Sequence, residues 1–188
     1  MNYPTPGQNK SENSEYAKNL IIRFCEINGL QSPEFSVNDK LSSFGHYVHN
    51  SKKIVICLKK AKSPIKTPGF SWSYTGYKAD LTAAGIWAHE FGHYVDFYLL
   101  NQISKKMKNA VKGESKVSSY EPNAAECFAE SMKLFVLNPD LLKQGRPKRY
   151  KFLTETCGLR PVITDKWNVV LGNAHEKLIS AAANWINK

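Results

Sequence analysis

No apolar run in this chain approaches the roughly 20 residues needed to span a bilayer. No CxxC pair occurs either: Cys25, Cys57, Cys127 and Cys157 stand apart, each in an apolar stretch of an expected helix or strand. This excludes a zinc knuckle and a dense disulfide framework, and buried free thiols in a reducing compartment are expected. The first residues are polar and rich in Pro and Asn, without the apolar core of a signal peptide. Together these absences point to a cytoplasmic protein that does not use a membrane. Acidic residues are also scarce, with 16 Asp and Glu against 26 Lys and Arg, for a net charge of +10.

The basic excess is mostly lysine. Its densest stretch is Lys143, Arg146, Lys148, Arg149 and Lys151, with no acid among them. Such a run reads either as an electrostatic footprint for nucleic acid or an acidic substrate, or as a solvated basic face. No RNA-recognition signature, C2H2 finger or helix-turn-helix pattern accompanies it.

With 188 residues, 42% of them hydrophobic and 12% aromatic, the chain can bury one sizeable core. Residues 1–14 read as a flexible leader and residues 15–188 as a single domain. Glu12 to Asn28 has helical spacing through Tyr16, Leu20, Phe24 and Ile27, with Gly29 as the cap. Three short strands follow, Phe35 to Leu41, Phe44 to Val48 and Ile54 to Leu58. The last two form a hairpin about His49-Asn50-Ser51, and the continuously apolar Ile54 to Leu58 is the central or cleft-side strand. Ser63 to Gly76 is a Pro/Gly-rich loop whose Phe70, Trp72 and Tyr74 form either a substrate wall or a lid over the core. Helices are expected over Asp80 to Lys108, Asn123 to Leu137, Pro147 to Cys157 and Trp167 to Ile186. The order is helix, small sheet, then helices, which is an α+β fold with a small β-sheet packed on the Asp80–Lys108 helix.

That helix carries the chemistry. His89-Glu90-Phe91-Gly92-His93 is an HExxH motif, and residues four apart on a helix project about 40° apart. The two imidazoles can therefore hold one zinc ion, with Zn–N distances of about 2.0–2.1 Å. Glu90 is placed to take a proton from a metal-activated water as it attacks a carbonyl. Ala84, Ala88 and Val95 on one flank, with Trp87, Phe91, Tyr94 and Tyr98 opposite, make the helix a buried one. Two histidines and a glutamate on its remaining face then need partners.

A third protein ligand is normal for catalytic zinc. The metzincin route HExxHxxGxxH is closed, because Asp96 and Leu99 occupy its Gly and final ligand positions. The ligand must come from elsewhere, and Glu126 is the leading candidate. Glu130 lies one turn later on the same face, suited to orient a ligand histidine. Asn123-x-x-Glu126 also fits a capping box. Glu114, Glu121 and Glu155 are weaker alternatives. Asp96 lies on the histidine side, as an outer contact of the site or an ordinary polar contact, while His46, His49 and His175 read as structural.

His89-Glu90-Phe91-Gly92-His93 with Val95-Asp96, and Ser118-Ser119-Tyr120 followed by Glu126-Cys127-Phe128-Ala129-Glu130, resemble the catalytic-domain family of anthrax lethal factor. That family includes small zincin-like peptidases of phages and mobile elements. The similarity covers roughly Asp80 to Leu137. It implies zinc held by His89, His93 and Glu126, Glu90 as general base, and Tyr120 donating to the oxyanion or the leaving amine. It also implies a protein or peptide substrate. A catalytically silent zincin scaffold and a basic nucleic-acid-associated protein are the alternative readings.

Overall fold

The computed structural model describes residues 9–63 and 79–162. Phe70, Trp72, Tyr74, His175 and the helix expected over Trp167 to Ile186 lie outside the described residues. Helix α1, Lys10–Asn28, is capped by the Asn9 side chain, which accepts from the Glu12 N–H. It ends at Gly29, whose left-handed φ of 62° lets its N–H reach the carbonyls of Cys25 and Glu26. The helix starts two residues ahead of Glu12, and Asn13 and Ser14 are buried. Asn13 Oδ1 accepts the Ala84 N–H at 2.8 Å, and Trp87 Nε1 donates to Ser14 Oγ at 2.7 Å. Residues 10–14 thus form the first turn of α1, tied to α2 through Asn13 and Ser14.

Strands β1 (Glu34–Val37), β2 (Gly45–Val48) and β3 (Lys53–Ile56) form a mixed sheet in the order β1-β3-β2. β1 runs parallel to β3 with Glu34 opposite Lys53, and β2 runs antiparallel with Gly45 opposite Ile56. The apolar β3 takes the centre, where Ile54 and Ile56 are fully buried. All three strands are shorter than the sequence pattern implies. Asn38 begins a turn in which its side chain accepts the Lys40 N–H.

Helix α2 spans Ala83–Tyr94, with Thr82 as its cap. The single long helix expected to reach Lys108 is broken. A π turn at Val95–Leu99 gives way to left-handed Asn101 (φ 50°) and Gln102 (φ 61°), and α3 starts afresh at Ser104–Ala110. Asp96 holds this break together. Its carbonyl accepts the Gln102 N–H at 2.7 Å and its Oδ1 accepts the Ser104 N–H at 2.9 Å. Buried Asp96 therefore satisfies the start of the next helix, a capping role that the helical pattern hides.

Helix α4, Ala124–Leu137, stops at Asn138-Pro139 as expected. Asn138 then caps a helix absent from the sequence reading, α5 (Pro139–Gly145), by accepting the Leu141 N–H. α6 (Pro147–Lys151) runs on into a π turn at Phe152–Thr156. Among the described residues there are six α-helices, and none is long and apolar enough to cross a membrane.

The core lies where α1, the sheet and α4 meet α2. Trp87, Phe91 and Tyr94 are fully buried, with Trp87 edge-on to Phe35 and Phe91 edge-on to Phe24. α2 and α4 cross at Gly92, where an added Cβ would stand 2.6 Å from the Ala129 Cα and 3.0 Å from its carbonyl oxygen. No side chain fits there. Gly92→Ala should force the helices apart and cost about 1–3 kcal/mol in urea unfolding, the range of an overpacked core. An unchanged midpoint would mean that this crossing is looser than described.

Candidate metal centre

The α2–α4 crossing brings His89, His93 and Glu126 together. One ligand atom from each lies within 4.8 Å of the others. His89 Nε2 is 3.2 Å from His93 Nε2, and Glu126 Oε2 is 3.1 Å from the first and 3.5 Å from the second. Ligands at about 2.0–2.1 Å on a tetrahedral zinc stand about 3.3 Å apart, so this triangle has the right size for one such ion. Glu126 Oε2 is buried, and the adjacent imidazole nitrogens give it no well-aligned hydrogen bond. Three electron-pair donors converging around an orphaned carboxylate oxygen fit a shared cation.

The capping reading of Glu126 is half realised. Asn123 Oδ1 accepts the Glu126 backbone N–H at 2.9 Å, while the Glu126 carboxylate turns to the histidines. Glu130 lies one turn on, almost fully buried. Its Oε1 is 2.7 Å from His89 Nδ1, and its Oε2 takes the Lys133 ammonium at 2.5 Å. Lys133 is also near enough to act on buried Asp80, which sits ahead of α2 and accepts the Thr82 N–H.

Burial disfavours a charged ring at His89, yet the carboxylates of Glu126 and Glu130 close to its two ring nitrogens hold its pKa up at about 9. Burial would also raise Glu126 and Glu130, but both are held near 2, Glu126 by the histidines and Glu130 by Lys133 and His89. Glu90, nearly buried beside the histidines, is shifted the other way, and burial raises its pKa above the ordinary carboxylate value. Tyr120 is half exposed, its ring 5.6 Å from that of His89. Its phenol pKa is raised, first by the Glu126 charge and then by burial.

The histidines, Glu90, Tyr120 and Glu126 line a cleft of about 380 Å³ whose other wall is β2. Strand β2 comes close to α2 because residue 45 is glycine. A Cβ there would meet Ile86 at 2.9 Å and the Glu90 side chain at 3.1 Å. A second cavity of about 370 Å³ shares Gly45, His89, Glu90 and Tyr120 and extends along Phe44, Leu81 and Ile86.

Several contributors escape a sequence reading. His46 and His49 line the cleft, with His49 edge-on to Phe97 at 4.6 Å. Arg149 is buried as the hub of the loop carrying Tyr120. It pairs with Glu121 at 3.0 Å and bonds Ser131 Oγ at 2.8 Å, while Glu121 accepts the N–H groups of Val117 and Ser118. Arg146 is buried on the Lys116 carbonyl. Two of the five cations in the basic stretch are thus withdrawn from the surface into structural bonds. Asp96 bonds the α3 start, and among the described residues no hydrogen bond from its side chain to the histidines is found. The four cysteines are free, three of them buried. No family model, curated protein or solved structure matches the chain.

A metal ligand must be unprotonated, so an ion entering this site displaces the His89 proton below pH 9. Zinc affinity should therefore rise about tenfold per pH unit up to about 9 and then level off. At pH 7 uptake should release about one proton, read by calorimetric titration in buffers of different ionisation enthalpy. Uptake with no proton release would contradict the pairing described.

Proposed function

We propose that this chain is a zinc-dependent endopeptidase of the gluzincin type, acting on protein or peptide substrates. The carrying observation is the convergence of His89, His93 and Glu126 with Glu90 beside them in one cleft. The segments that resemble the lethal factor catalytic-domain family supply these residues, which supports the reading.

Held by His89, His93 and Glu126, a zinc ion would supply a Lewis acid for the scissile carbonyl and would lower the pKa of the attacking water. Glu90 accepts the proton of that water and passes it to the leaving amine. Burial raises its pKa above the ordinary carboxylate value, which makes it a better proton acceptor than an exposed glutamate. Tyr120 keeps its phenolic proton, because the same carboxylates raise its pKa, and so serves as a hydrogen-bond donor to the developing oxyanion. β2 offers its outer backbone edge to an extended substrate, which adds as a further strand. The cavity beyond Glu90, walled by Phe44, Leu81 and Ile86, receives an apolar substrate side chain.

Glu90→Gln tests this directly. The variant should fold and hold zinc like the wild type, while cleavage of a mixed peptide library, followed by mass spectrometry, falls about 10²–10⁴-fold. Undiminished cleavage would remove Glu90 from the reaction and overturn the peptidase mechanism.

A further inference from the structure

Lys133 is a charged side chain placed where charge is costly. It is 3% exposed, lies on the inner face of α4, and gives its ammonium to Glu130 Oε2 at 2.5 Å. The other oxygen of the same carboxylate is 2.7 Å from His89 Nδ1. A buried ion pair contributes little net stability compared with apolar residues of similar volume. Stability alone is therefore a weak reason for a lysine here. What the pair does fix is direction.

An ammonium has donors and no acceptor, so the Glu130 oxygen facing Lys133 can only accept. With Oε2 committed to Lys133, the carboxylate cannot rotate away, and Oε1 stays aimed at His89 Nδ1. Once a metal displaces the other ring proton, the imidazole would keep its N–H on Nδ1 and present the Nε2 lone pair on the side where His93 Nε2 and Glu126 Oε2 stand, 3.2 Å and 3.1 Å away. Both Glu130 and Lys133 lie on α4, three residues apart. The helix that supplies Glu126 thus also holds the orientation of a ligand on α2.

We propose that Lys133 is a positioning residue of the metal centre, locking the Glu130 carboxylate that orients His89. This rests on the metal-site reading above. Its signature is that Lys133 acts only through Glu130, which a general packing role would not show. The test compares wild type, Lys133→Met, Glu130→Gln and the double variant, with zinc affinity measured by chelator competition on folded protein. Lys133→Met and Glu130→Gln should each weaken zinc binding about 10–100-fold. The double variant should match Glu130→Gln within about twofold, the ordinary scatter of additive effects. Should Lys133→Met fail to fold with Glu130 left unpaired, the double variant, which buries neither charge, still decides the matter. Two results would overturn the proposal: zinc affinity unchanged in folded Lys133→Met, or a double variant tenfold weaker than Glu130→Gln alone. Wild-type protein that takes up no zinc would remove the metal site itself, and Lys133's role with it.

Discussion

Helices α2 and α4 cross with Gly92 against the Ala129 backbone, leaving no room for a Cβ between them. That contact lies between His89 and His93 on one helix and between Glu126 and Glu130 on the other. It sets the distance at which four polar side chains from two helices meet. Tighter packing is impossible and looser packing would open the ligand triangle, whose edges are 3.1–3.5 Å. Packing and chemistry are here one constraint. The apolar faces of α2 and α4 bury Phe91, Phe128 and Met132, and their burial holds the polar faces in register.

Bringing those groups together in a mostly apolar setting is electrostatically expensive unless each charge has a partner. The structure supplies partners in a chain. Lys133 faces Glu130, Glu130 faces His89, and His89 and His93 face Glu126. Glu90 stands apart from this pairing, and burial raises its pKa. Two glutamates at one cleft are thus shifted in opposite directions, Glu126 downward by the histidines and Glu90 upward by burial. A second buried hub, Arg149 with Glu121, ties down the loop that carries Tyr120 beside the cleft.

The helix period made the two histidines and the Glu126/Glu130 pair legible as faces in the sequence. The choice of Glu126 over a capping role and over other glutamates rested on motif context and resemblance. HExxH puts two histidines on one face, and Glu126 and Glu130 repeat at the same spacing on another apolar helix. The α+β order was also readable, as was the central place of the apolar strand β3. What the sequence hid depends on contacts between distant segments. Arg149 looks like a surface cation until Glu114 and Glu121 are brought to it, and Lys133, one turn from Glu130, looks like one until the packing of α4 buries the pair. Asp96 looks like part of a long helix, yet its carboxylate caps α3 across a break whose left-handed residues, Asn101 and Gln102, lack the usual glycine. His46 and His49 read as structural because nothing local says that strand β2 and the turn after it border the cleft.

The central claim is that His89, His93 and Glu126 form one zinc site. Zinc content of the purified protein, measured by elemental mass spectrometry in wild type, Glu126→Ala and Glu130→Ala, addresses it most directly. The account predicts about one zinc per chain in the wild type, almost none in Glu126→Ala, and a reduced amount in Glu130→Ala, whose ligands remain but lose their orientation. Zinc retained equally in both variants would contradict it.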